Sequence, residues 1–227
     1  LGYAHANGVV HCDVKPGNIM VDAGGNVYLT DFGIARHADS TTTTMGAAGT
    51  PAYMAPEQIR GEVVTAATDV YAMGIMLYEM VTGRRPFEGK ELKTSYADST
   101  GNLANMIRTA HLTQPPPDPR GFNPKITAEM AEVMLKALEK GPQDRYQDIM
   151  VFFNAFCAAA GVSADQIPER LLKYVHEPEH GPVPGPKLVD TAIRRPLWSK
   201  VLSFIRQPFW RKVFPFVLGA AALAARP

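Results

Sequence analysis

The apolar positions of this chain fall into two rhythms separated by punctuated loops. From Asp69 to Val81, the residues Val70, Met73, Ile75, Met76, Leu77, Met80 and Val81 leave almost no polar face, which is the pattern of a helix buried on all sides, with Gly83 as its stop. A second helix is predicted from the N-cap Thr127, with Met130, Val133, Met134, Ala137 and Leu138 at helical spacing and Gly141 as its end. A third runs from about Asp148 to Ala160, and the first residues, Leu1 to Ala6, read as the last turns of another, stopped by Asn7-Gly8. The strand rhythm appears once. Ile19-Met20-Val21 and Val27-Tyr28-Leu29 flank Asp22-Ala23-Gly24-Gly25-Asn26, residues that tolerate positive φ, so a hairpin is predicted. Thr113 to Pro124 holds five prolines and reads as an irregular connection.

Beyond Gly161 the pattern weakens, and Glu177 to Lys187 is a Pro/Gly stretch expected to stay extended. The organisation predicted is a domain over 1–160, a linker over 161–195 and a tail over 196–227. With 227 residues, 46% hydrophobic and 20% charged, the chain is long enough for one globular domain and an appendage. Cys12 and Cys157 lack the spacing of a metal site and are too few for a disulfide framework, which favours a reducing setting. No signal-peptide pattern opens the chain, and the initial Leu reads as a cut.

The net charge of +1 conceals an asymmetry. No acidic residue follows Asp190, so the first 190 residues carry −6 and the last 37 carry +7. Within that tail Val201, Leu202, Ile205 and Phe209 share one helical face, and both tryptophans, Trp198 and Trp210, lie there. A basic, aromatic amphipathic stretch over 194–225 suits an anionic membrane surface. The apolar run Val213 to Ala225 would span about 20 Å as a helix, short of a hydrocarbon core of about 30 Å, so it does not cross a membrane by itself. A helix packed on a neighbouring domain is the alternative.

Candidate chemistry concentrates in His11-Cys12-Asp13-Val14-Lys15-Pro16-Gly17-Asn18, followed by Asp31-Phe32-Gly33 and Ala55-Pro56-Glu57. Phosphoryl transfer asks for positioning, metal ions and charge compensation around the transferred group. Asp13 can accept or orient the proton of an attacking hydroxyl. Lys15, on the same side of an extended loop, can meet the γ-phosphate. Asn18 offers an amide oxygen and Asp31 a carboxylate to a hard cation. His11 is read as a ring that holds the loop backbone.

This loop resembles the catalytic loop of the eukaryotic-type Ser/Thr protein kinases, and the wording of V-K-P-G-N-I-M, G-T-P-A-Y-M-A-P-E-Q and T-G-R-R-P-F is similar to their bacterial, membrane-associated branch. Asp31-Phe32-Gly33 resembles the metal-binding DFG, Gly49 to Glu57 the end of the activation segment, and Asp69 to Gly74 the start of the buried central helix. The resemblance covers about residues 1–158. It implies a mainly α fold, the C-terminal lobe of a kinase with a small β-hairpin carrying the catalytic and DFG loops, the N-lobe being absent from the sequence as written. It also implies ATP with Mg²⁺, or Mn²⁺ in its place, Lys15 and Thr50 beside Asp13, Asn18 and Asp31 on the metals, structural roles for Gly33 and Asp69, and a buried Glu57–Arg145 pair.

What the resemblance implies for function is phosphate transfer from ATP to Ser/Thr hydroxyls of protein substrates, with autophosphorylation in signal transduction. Ser40, Thr41, Thr42, Thr43 and Thr44 are candidate phosphosites within the activation segment. Cys12 stands where the family commonly has arginine, so phosphorylation is expected to couple less tightly to activity. A pseudokinase or interaction module is the alternative, but its usual sign is loss of one of four groups, and Asp13, Lys15, Asn18 and Asp31 are all present. A small-molecule kinase normally lacks the G-T-P-A-Y-M-A-P-E segment. Without a Gly-rich loop or strand lysine, the sequence as written is expected to be inactive alone and to expose an apolar patch. The expected setting is the cytoplasmic, inner face of the plasma membrane, with no nucleic-acid partner. His5, His37, His111, His176 and His180 are read as surface or packing residues.

Overall fold

A computed structural model describes residues 1–21, 27–32, 36–37, 51–89 and 103–162. The expectations for Gly33, Ser40 to Thr44, Thr50, most of the linker and the whole tail lie outside these residues. The described elements are α1 (Gly2–Ala6), β1 (Val9–Val10), β2 (Ile19–Val21), β3 (Val27–Leu29), β4 (Arg36–His37), α2 (Pro56–Arg60), α3 (Ala66–Thr82), α4 (Leu103–Thr113), α5 (Ala128–Ala137) and α6 (Ile149–Ala159).

The centre is α3. Its faces feed three separate apolar clusters, which is why the sequence shows no polar stripe there. Val70, Leu77 and Val81 pack with Met130 and Met134 of α5 and with Ile149, Phe153 and Phe156 of α6. Tyr71, Ile75 and Tyr78 pack with Phe87, Ala110 and Leu138. Ala72 and Met76 pack on Val14 of the loop that carries Asp13. At Gly74 a Cβ would stand 3.1 Å from Ala137 Cβ and Leu138 Cδ2, so the glycine permits α5 to approach this closely.

The N-terminus of α3 differs from the sequence expectation. The helix begins at Ala66, three residues before Asp69, because Thr65 caps it: its hydroxyl accepts from the Ala67 amide while Thr68 Oγ1 accepts from the Thr65 amide. Gly83, at φ 77°, ends it in the left-handed region as expected. The end of α5 is a correction. The helix stops at Ala137 with Leu138 as its cap, and Gly141 instead opens the 3₁₀ turn Pro142–Asp144 at φ −80°. Thr127 caps α5 as read from sequence, accepting from Met130 N, and Asp148, read as the approximate start of the third helix, is the N-cap of α6, accepting from Met150 N and Val151 N.

Helix α4 was not visible in the periodicity. Only Ile107, Ala110 and His111 of its eleven residues are buried, too narrow a stripe to stand out. It takes in Thr113, so the irregular connection starts later than expected and contains the single 3₁₀ turn Pro119–Gly121. The hairpin is as expected, β2 pairing antiparallel with β3 in the register Ile19 to Leu29 and Val21 to Val27. A second pairing, β1 with β4, joins Val10 to Arg36. Thus the described residues are mainly helical, with their small strands gathered around the loop from His11 to Asn18.

Candidate active site

The loop leaves β1 and is fastened to α3 through one buried carboxylate. Asp69, 1% exposed, accepts from the His11 amide at 2.8 Å, the Cys12 amide at 2.9 Å and His5 Nε2 at 2.8 Å. Val14, fully buried, packs on Ala72 and Met76 and pins the loop again two residues after Cys12. Between these anchors Cys12 adopts φ 66°, a conformation that a residue with a Cβ takes only when its surroundings over-determine it. Asp31 does the same at φ 63°. Within the described residues, these two positions are the non-glycine residues with positive φ, and they flank the hairpin from either side.

His11 connects the two loops. Its Nδ1 accepts from the Asp13 amide at 3.2 Å, so that nitrogen carries the lone pair and Nε2–H donates to the Thr30 carbonyl at 3.0 Å. Both ring nitrogens are therefore committed to backbone groups of the two loops. Phe32 meets it edge to face, with centroids 4.4 Å apart. The Asn18 carbonyl accepts from the Thr30 amide at 2.8 Å, which brings the residue before Asp31 against the loop.

Asp13, Lys15 and Asn18 converge. Lys15 Nζ donates to Asp13 Oδ2 at 2.6 Å, and Asn18 Nδ2 donates to the same oxygen at 2.9 Å and to the Asp13 carbonyl at 2.8 Å. Among the described residues, Asp13 Oδ1, Asn18 Oδ1 and the Asp31 carboxylate take part in no protein hydrogen bond. Since Asn18 turns its nitrogen to Asp13, its amide oxygen lies on the other side. An amide oxygen and an exposed carboxylate are the hard donors that Mg²⁺ accepts when phosphate oxygens complete its shell, so the residues fit such an ion. No group of three His, Cys, Asp or Glu with metal-site geometry occurs among the described residues.

A second constellation braces the first from behind. Arg145 Nη1 and Nη2 donate to Glu57 Oε1 and Oε2, each at 2.8 Å, and the remaining guanidinium donors reach the carbonyls of Ala67, Glu139 and Lys140. Thr68 Oγ1 adds a 2.8 Å bond to Glu57. Beside it lies His111, fully buried, whose Nδ1 is 2.9 Å from the Tyr71 hydroxyl. Burial, helped by the Lys140 ammonium, pushes His111 down to about 3, so it stays uncharged near neutrality. Lys140 donates to the His111 carbonyl at 2.7 Å and lies over the Phe87 ring; burial pushes it down to about 8. Tyr53, in the turn Pro51–Tyr53, donates to Glu79 Oε2 at 2.6 Å, and burial holds the Glu79 carboxyl above its usual range.

Sequence reasoning missed three contributors. His5 does more than pack, since it bonds the carboxylate that holds the loop. Gln58 donates to the Cys12 carbonyl at 2.7 Å. Thr30 receives His11. None stands in a local motif with its partner, so no spacing signal exposes them.

A histidine bonded at both ring nitrogens, an anchored carboxylate and hard oxygen donors thus meet on two loops joined by one hairpin. The chain belongs to the protein kinase domain family, which matches residues 1–155. It is similar to the serine/threonine-protein kinase PknB of Mycobacterium tuberculosis (strain ATCC 25177 / H37Ra), 37% identical over 203 residues, or 88% of this chain and 28% of that protein. Pkn1 of Myxococcus xanthus is 42% identical over 163 residues, covering 69% of this chain and 22% of its own. PrkC of Bacillus subtilis (strain 168) is 39% identical over 149 residues, covering 65% and 21%. The chain thus spans about a quarter of the length of these curated relatives.

Proposed function

We propose that this protein transfers the γ-phosphate of ATP to Ser/Thr hydroxyls of protein substrates. The observation that carries the reading is the state of Asp13: Oδ2 is anchored by Lys15 and Asn18, and Oδ1 is left without a protein partner among the described residues. A carboxylate so held orients the substrate hydroxyl and takes its proton as the new P–O bond forms and the bond to ADP breaks. Lys15, with one of its three donors on Asp13, has donors left for the transferred group. Asn18 Oδ1 and the Asp31 carboxylate would hold Mg²⁺, or Mn²⁺ in its place, whose chemistry is to neutralise charge on the phosphates. Thr50 is assigned to the substrate side of Asp13, and Glu57, Arg145, Asp69, His11 and Gly33 to support.

The same reading extends to regulation and place. Autophosphorylation at Ser40 to Thr44 modulates binding or turnover without being obligatory, because Cys12 provides no cation for a phosphate to neutralise. Alanine at all five positions is expected to leave measurable activity; complete loss would overturn this. The domain is assigned to 1–160 and the linker to 161–195. The basic tail, through 194–225, is assigned to an anionic membrane at the cytoplasmic face. No helix of the described residues is long and apolar enough to cross a membrane.

The test is phosphate transfer from labelled ATP to the protein itself and to a Ser/Thr peptide, using the product of the whole reading frame. Asp13→Asn is expected to abolish transfer while leaving the melting temperature within a few degrees.

A further inference from the structure

Two peptide units precede Asp13, and helices α3 and α2 each hold one of them. The unit between His11 and Cys12 presents the Cys12 amide, which donates to Asp69 Oδ1 of α3 at 2.9 Å. The unit between Cys12 and Asp13 is held at both ends. Its N–H donates to His11 Nδ1 at 3.2 Å, and its C=O accepts from Gln58 Nε2 of α2 at 2.7 Å. Cys12, between the two units, is the residue at φ 66°.

Gln58 is itself fixed. It is buried, 6% exposed, and its Oε1 accepts from the Ala55 amide at 3.0 Å, at the start of its own helix. With the oxygen committed to Ala55, the nitrogen can only face Cys12. Rotation of the Cys12–Asp13 peptide would break the Gln58 and His11 bonds together. The same rotation would swing the Asp13 Cβ away from Lys15 and Asn18, since the plane of that peptide sets the direction in which Asp13 departs.

We propose that Gln58 is a positioning residue for phosphotransfer: its amide locks the peptide plane that aims Asp13 and ties the Pro56–Arg60 helix to the catalytic loop. This rests on the phosphotransfer reading above. Glu57 and Gln58, adjacent in one short helix, thereby serve two different partners. Glu57 fastens the helix to Arg145, 88 positions away, and Gln58 carries that fixed position forward to the loop, 46 positions back.

Two substitutions separate aiming from packing. Gln58→Glu keeps an acceptor for the Ala55 amide, but the ionised carboxylate cannot donate to the Cys12 carbonyl. Gln58→Met keeps length and buries no charge while giving up both bonds, and it decides the matter if the Glu variant fails to fold. Hydrogen exchange resolved to single amides, on the product of the whole reading frame, is expected to show the Asp13 amide exchanging about tenfold faster in both variants, with Ile75 and Met76 in α3 still protected. In peptide phosphorylation kcat is expected to fall about tenfold, with KM for ATP changed less than about twofold. Unchanged exchange at Asp13 would overturn the proposal. So would faster exchange with unaltered kcat, or loss of protection spread evenly through α3, which marks a merely structural role. A wild-type protein that transfers no phosphate would sink the phosphotransfer reading, while the exchange data would still judge whether Gln58 holds the peptide.

Discussion

Glu57 and Arg145 meet across 88 positions with side chains 1% and 0% exposed, whereas Asp13 and Lys15 meet across two positions with 23% and 24% of their side chains in solvent. Both are carboxylate–cation pairs. In the first, all five N–H donors of Arg145 are used, and both Glu57 oxygens are bonded, Oε1 accepting a further bond from Thr68, so every donor of the desolvated cation is met and each carboxylate oxygen has a partner. In the second, the 2.6 Å bond from Lys15 and the Asn18 bond both fall on Asp13 Oδ2, which leaves Oδ1 and most of the ammonium without a protein partner among the described residues. Saturation turns the buried pair into an anchor. The spare capacity of the half-buried pair is what a reacting group requires.

The largest expected effect comes from breaking the anchor. Arg145→Ala strands the Glu57 carboxylate in the interior and should cost about 3–5 kcal/mol by chemical denaturation. A double replacement, Glu57→Met with Arg145→Leu, removes both charges and should recover a large share of that loss. If the double variant were as unstable as the single, saturation would not be the reason the pair is tolerated.

Acid probes the same buried region through His111. Its folded value is lowered to about 3 from 6.5, so the unfolded chain binds a proton first. Stability contributed by this group is therefore complete above about pH 6.5 and is lost as pH falls toward 3, by at most about 1.4 kcal/mol per pH unit. His111→Gln should flatten that limb of the stability profile between pH 6 and 4, as measured by urea titration at each pH. An unchanged limb would place the acid sensitivity elsewhere.

Smaller effects calibrate the scale. Asp148→Ala removes the acceptor for Met150 N and Val151 N at the start of α6 and should cost about 1 kcal/mol. Lys15→Met should change stability by less than about 1 kcal/mol, as for a partly exposed pair, while depressing phosphate transfer. A Lys15 variant that unfolded the protein would erase the distinction between anchor and reactive pair.

What could be read in the sequence follows the reach of each signal. The α3 helix, the hairpin, the cap Thr127 and the approximate start of α6 at Asp148 announce themselves within a few residues. The start of α3 differs from the sequence reading because Thr68 and Asp69 look like a polar boundary, yet both lie buried within the helix with their side chains bonded to Glu57 of α2 and to the His11 amide. Gly141 resembled a helix stop, but it sits at φ −80°, outside the left-handed region, and opens the 3₁₀ turn Pro142–Asp144 instead. In the site, Asp13, Lys15, Asn18 and Asp31 stood in spaced motifs. Gln58 and His5 act through partners 46 and 64 positions distant, and the β1–β4 pairing is likewise non-local, so no window along the chain contains both halves.

The most direct test of the account is Asp13→Asn in the product of the whole reading frame, with melting temperature and transfer of labelled phosphate from ATP to protein measured on the same preparation. The expected result is a melting temperature within a few degrees of wild type and transfer reduced by at least about a thousandfold. Transfer retained within tenfold of wild type would contradict the assignment of Asp13, and with it the claim that the unsaturated pair is the reactive one.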